Sequence, residues 1–117
     1  MNTHEVTRND SVTAPGGAVT LNVQIGWGQS GGIGIYHNGS ELAKNSGQAS
    51  AQIQKVQSGD RVDIFAGVID LSKKDGCILV TQAGGFTFDA GNPIATLIAE
   101  NTANGDLVKF THRIRFV

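Results

Sequence analysis

Apolar and polar residues alternate one by one through most of this chain, and a period of two is the pattern of a strand with one buried face. In Val19 to Ile25, the apolar Val19, Leu21, Val23 and Ile25 are separated by Thr20, Asn22 and Gln24. From Leu107 to Val117, Val108, Phe110, Ile114 and Phe116 share one face, while Lys109, Thr111, Arg113 and Arg115 share the other. His112 falls on the apolar face there, so it is expected to be a hydrogen-bonded histidine of the core or of an interface. Arg61 to Ile69 departs from the rule: Val62, Ile64, Ala66 and Val68 face one side, but Phe65 and Ile69 lie on the other. Two apolar faces predict a central strand or an oligomer interface. Cys77 to Thr81 and Phe86 to Phe88 add shorter runs, and Ile94 to Ala99 fits either a strand or one helical turn.

Turn formers interrupt this pattern at nearly even intervals, among them Pro15-Gly16-Gly17, Asn38-Gly39, Ser58-Gly59-Asp60, Asp75-Gly76, Gly91-Asn92-Pro93 and Asn104-Gly105-Asp106. The combination predicts an all-β fold, a single-domain two-layer β-sandwich of jelly-roll or immunoglobulin-like type with about seven to nine short antiparallel strands. Residues 1–5 are expected to form a short N-terminal tail and residues 6–117 the sandwich domain.

A length of 117 residues suits one hydrophobic core. Nine basic and ten acidic side chains leave a net charge of -1, which lacks the broad positive footprint of a nucleic-acid binder. Cys77 is the sole cysteine, so neither an intramolecular disulfide nor a thiolate zinc site is expected, and it reads as a small buried hydrophobe. The start of the chain has no basic segment followed by an apolar one, and no apolar run reaches membrane-spanning length. The expectation is a soluble protein, cytoplasmic as written or exported by a route that needs no N-terminal signal peptide.

Few residues suggest chemistry. Gly26-Trp27-Gly28-Gln29-Ser30-Gly31 matches the glycine spacing of a dinucleotide loop, yet a glycine-laced β segment follows it where a helix is required. It reads instead as a flexible hairpin connection, and no cofactor is expected. Trp27, Tyr36, His37 and Asn38 are the candidate ligand-binding residues, because aromatic rings beside amides offer large contact area at low entropic cost. Lys109, Arg113 and Arg115 form a basic stripe, read either as protection of an edge strand or as a surface for an anion or an acidic partner. No catalytic constellation stands out and no metal site is expected. An enzyme of unknown type would use Asp60, Asp63 or His37.

Three segments in order resemble the C1q/TNF-type jelly roll: Thr13-Ala14-Pro15 with Gly17 before an alternating strand, then Ile35-Tyr36-His37-Asn38-Gly39-Ser40, then Ala49 to Val56 leading into Ser58-Gly59-Asp60-Arg61-Val62. The resemblance implies a hairpin at Asn38-Gly39, a strand near a trimer axis after Asp60, and a trimer. The closing strand of that family has no counterpart here. The function expected is a non-catalytic binding or assembly module that acts through its surface as a homo-oligomer, with a glycan or a protein as partner. A small carbohydrate-binding lectin is the first alternative and a small carboxylate- or histidine-based enzyme the second.

Overall fold

A computed structural model describes all residues, 1–117, and contains nine strands. These are β1 (Thr3–Val12), β2 (Val19–Ile25), β3 (Ser30–His37), β4 (Ser40–Ser46), β5 (Gln48–Ile53), β6 (Arg61–Ile69), β7 (Cys77–Gly84), β8 (Ile94–Ala99) and β9 (Leu107–Phe116). They form two packed sheets, a five-stranded one ordered β1-β9-β6-β3-β4 and a four-stranded one ordered β5-β2-β7-β8. The two-layer β-sandwich expected from the period-two pattern is the fold. Only Asp89–Gly91 turns as a short 3-10 segment, and no helix is long and apolar enough to cross a membrane.

The core is the set of alternate residues read from the sequence. Leu21, Val23, Ile35, Val62, Ile64, Leu79, Val108 and Ile114 are all fully enclosed, and Phe110 and Phe116 are the largest side chains between the sheets. Each such side chain contributes about 1.5–3 kcal/mol by leaving water. Asn38 and Gly39 both have positive φ and connect β3 to β4 in two residues, the backbone pattern of a type I′ hairpin turn. Ile94–Ala99 is a strand, paired antiparallel with β7. Its companion pattern of a helix face is overridden by the ladder.

Four expectations are corrected. Residues 1–5 are no tail, because β1 begins at Thr3 and pairs with β9 from Thr3↔Leu107 to Val12↔Phe116. That pairing is parallel, whereas every other strand pair is antiparallel. The glycine-rich segment after β2 is no hairpin connection either: it carries the chain from the four-stranded to the five-stranded sheet, and its second half is β3 itself. Finally, β9 lies between β1 and β6, so its basic stripe does not protect an edge.

The inward-facing residues of β1 explain why it escaped the pattern. His4, Arg8 and Asp10 are polar, and each finds a partner far away in sequence. His4 Nε2 lies 2.9 Å from Asp106 Oδ2, Arg8 donates to both oxygens of Asp10 and to Asp89, and His112 Nε2 lies 2.6 Å from Asp10 Oδ2. Burial by itself would raise the Asp10 carboxyl, but the Arg8 guanidinium and His112 outweigh it and hold it below the ordinary range. Burial likewise depresses the His112 imidazole against the opposing pull of Asp10. The consistent state is an ionised Asp10 accepting from Nε2–H of a neutral His112, whose Nδ1 accepts from the Thr81 hydroxyl at 3.3 Å.

Candidate functional site

The outer face of the five-stranded sheet contains a groove of about 740 Å³, within the size range of small-molecule sites. Strand register defines it. One row across the sheet reads Glu5, Lys109, Gly67, Gly32 and Ser46 on β1, β9, β6, β3 and β4. The next row reads Thr7, Thr111, Phe65, Gly34 and Lys44. The first row thus places two glycines side by side at the centre of the sheet, and the floor there is bare backbone. The second row raises an aromatic wall, since the Phe65 ring meets Tyr36 edge to face at 5.7 Å between centroids.

Why glycine occupies the floor is the informative question. Neither Gly32 nor Gly67 has positive φ, and a Cβ at either position would meet nothing within 4 Å. Glycine inside a strand costs roughly 0.5–1 kcal/mol relative to alanine, and here no turn, bulge or internal contact requires it. Gly34 differs: a Cβ there would lie 3.0 Å from Tyr36 Cε2, so this glycine lets the tyrosine ring lean back over its own strand. Gly31 is fully internal in its reason, because a Cβ would strike the backbone of Gly67.

The ends of the groove are polar. Lys109 lies at the β9 side next to Glu5, and Lys44 at the β4 side. Neither lysine takes part in any of the ion pairs of the molecule. Three strand spacings and one row separate their backbones by roughly 15 Å.

Of the candidate ligand-binding residues, only Tyr36 faces this groove. Trp27 lies beyond the opposite end of β3, a strand of eight residues that spans roughly 26 Å. There its ring packs over Gly76, with Lys74 Nζ 4.8 Å from the ring centre, and its carbonyl accepts from the Ser72 hydroxyl. It closes one end of the sandwich. His37 and Asn38 stitch the β3–β4 hairpin to the turn before β6: Asn38 Nδ2 donates to Asp60 Oδ1, the Arg61 amide donates to Asn38 Oδ1, and His37 Nε2 lies 3.4 Å from Asp60 Oδ2. The Gln57 amide and Asn38 hold the Asp60 carboxyl below its ordinary value. The structure therefore does not gather Trp27, Tyr36, His37 and Asn38 into one site.

The basic stripe divides in the same way. Lys109 belongs to the groove, whereas Arg113 and Arg115 join Arg61, Asn9, Asp10 and Ser11 around a smaller hollow of about 270 Å³. Arg61 faces Arg115 directly across the ladder, and Asp63 faces Arg113. Arg61 Nε donates to Asp63 Oδ2 at 2.8 Å, and Arg113 Nε stands 4.0 Å from Asp63 Oδ1, which has no hydrogen-bond partner. No three His, Cys, Asp or Glu side chains come together in an arrangement that could hold a metal ion.

Sequence reasoning missed Gly32, Gly67, Lys44 and Glu5. Gly67 did carry a signal, as a glycine inside a good strand pattern marks a place where something approaches the backbone closely. Phe65, placed on the face away from the core, was the other pointer.

A two-layer sandwich with a grooved outer face is thus the class that fold and site define. No family model matches the chain, and neither does any curated protein. A crystal structure of the major pilin from Streptococcus pyogenes, in a mutant form, aligns over 99% of this chain and 49% of the pilin chain, at 10% identity and a TM-score of 0.22. This chain spans about half the length of that one, and a likeness at that score carries no argument.

Proposed function

We propose that this chain is a non-catalytic binding and assembly module whose binding surface is the groove on the five-stranded sheet. The observation that carries this reading is the pair Gly32 and Gly67, which forgo side chains at the centre of a sheet with open space above them. A fold under no demand but stability gains from a residue such as Thr or Val at both positions. Keeping the floor bare serves whatever lies on it. The non-catalytic part is supported by the one hydroxyl–imidazole–carboxylate chain, Thr81, His112 and Asp10, in which the hydroxyl and the imidazole are fully enclosed between the sheets.

Self-association is supported by the four-stranded sheet. Its edge strand β8 carries no charged residue, pairs only with β7, and presents Ile94 and Ile98, about 40% exposed, on its outer side. The edges of the five-stranded sheet, β1 and β4, carry Glu5, Arg8, Glu41 and Lys44, which discourage strand addition. A second copy adding its own β8 is the occupant this edge fits.

Screening the protein against a mixed array of glycans and peptides, next to a Gly67→Val variant, tests the binding surface. The expected result is a bound class that the variant loses at least tenfold while its melting temperature is unchanged or higher. Ligands bound equally by both proteins defeat the groove. Sedimentation of the wild type and Ile98→Lys tests assembly: a wild type that stays monomeric at high micromolar concentration rules out the β8 contact.

A further inference from the structure

The groove is open along a sheet face, not at a sheet edge, and this limits what can occupy it. Backbone N–H and C=O groups of β3, β6 and β9 beneath the floor are already paired in the ladder. An extended peptide gains its affinity from free main-chain groups at an edge, which this floor does not provide. What the floor offers is a flat, thin surface of glycine backbone beside the Phe65 ring. Polar side chains stand at the rim: Glu5, Lys109 and Thr111 at one end, Lys44, Asn45 and Ser46 at the other.

A ligand matched to this has apolar faces and a polar perimeter. Pyranose rings have that shape, with C–H groups that lie on aromatic and backbone surfaces and hydroxyls that point outward. Lys44 faces no acid within the groove and adds a second requirement, negative charge at that end of the ligand, whereas Lys109 and Glu5, cross-strand neighbours roughly 15 Å away, offer a donor and an acceptor to hydroxyls. We infer that the groove binds an acidic oligosaccharide, with its rings on Gly32, Gly67 and Phe65, a carboxylate against Lys44, and hydroxyls at the Glu5–Lys109 end. This inference rests on the groove being the binding surface, and it names the ligand class.

The residues define separable roles. Gly67 and Gly32 supply space, Phe65 supplies a stacking surface, and Lys44 supplies charge recognition. Lysine–carboxylate contacts at a solvent-open site weaken as salt rises, because screening reaches them.

The test uses uronic-acid and sialic-acid oligosaccharides together with their neutral counterparts and measures binding to the full chain, Lys44→Gln, Lys109→Gln and Gly67→Val. Acidic oligosaccharides are expected to bind. Affinity should fall about fivefold to tenfold in Lys44→Gln and less in Lys109→Gln, fall further between low and physiological salt, and be lost in Gly67→Val. Neutral glycans or peptides that bind better than acidic ones, and that Gly67→Val still excludes, overturn the acidic-sugar assignment while the groove stands. Acidic glycans that bind Gly67→Val as well as the wild type overturn the groove itself. Unchanged melting temperatures for the lysine variants tie any loss to recognition.

Discussion

The two outer faces of this sandwich solve the same problem in opposite ways. On the four-stranded sheet, side chains complete one another: Gln48 Nε2 donates to Asn22 Oδ1 at 2.8 Å, Ser50 Oγ donates to the same oxygen, and Asn22 and Gln24 reach Gln82 and Gln48. That face finishes its hydrogen bonding by itself. On the five-stranded sheet, the corresponding central positions are glycines, and neither flanking lysine is in an ion pair, although Lys109 stands across from Glu5. Both faces cover the same core, so stability cannot explain the difference. The first face pairs its central polar side chains with one another, whereas the second leaves its centre bare.

The contrast breaks or sharpens at defined positions. The largest effect is expected at Gly31, where the glycine serves the fold itself. Gly31→Ala drives a Cβ into the Gly67 backbone and should cost about 3 kcal/mol in a denaturant titration. A cost as small as that of Gly32→Ala would erase the distinction between glycines kept for packing and glycines kept for a ligand.

Acidification comes next. His112 has a folded value below its ordinary 6.5, so the unfolded chain takes up that proton first and stability declines as pH falls through 6.5. Asp10, held below 3.8, extends the loss with the same sign as pH falls through and below that value. Asp10→Asn should cost about 2 kcal/mol at pH 7 by leaving Arg8 and His112 poorly partnered. Thermal unfolding of the wild type at pH 7, 5.5 and 4 should show steadily lower midpoints; a level profile contradicts this account of β1.

The smallest effects separate the two faces directly. Gly32→Thr should raise stability by about 0.5–1 kcal/mol. Asn22→Thr on the completed face should stay within about 0.5 kcal/mol, as surface substitutions do. Equal gains at both positions would mean that neither face holds back stability for a partner.

The strands with a single apolar face, β2 and β9, were legible from alternation alone, and so was β6 with its extra Phe65. β1 was not, because its inward residues His4, Arg8 and Asp10 are satisfied by Asp106, Asp89 and His112, partners that no local pattern reveals. Sheet membership was equally hidden, since β2 and β3 follow one another in sequence yet lie in different layers. The groove escaped for a different reason. Its floor consists of missing side chains, and alternation is read from those that are present. Trp27 attracted attention as a rare aromatic, but the loop bearing Ser72, Lys74 and Gly76 claims it.

The parallel pairing of β1 with β9 carries a mechanical consequence. Thr3 begins the ladder beside Leu107, and Val12 ends it beside Phe116, so the N-terminal entry of one strand and the C-terminal exit of the other lie at opposite ends. Tension applied through residues 2 and 117 therefore slides the two strands past each other and loads the cross-strand bonds together, whereas tension through residues 12 and 117 peels them one after another. Single-molecule stretching along the first pair of points should require the larger force. In a chain of such modules, this one pair of strands would carry the load.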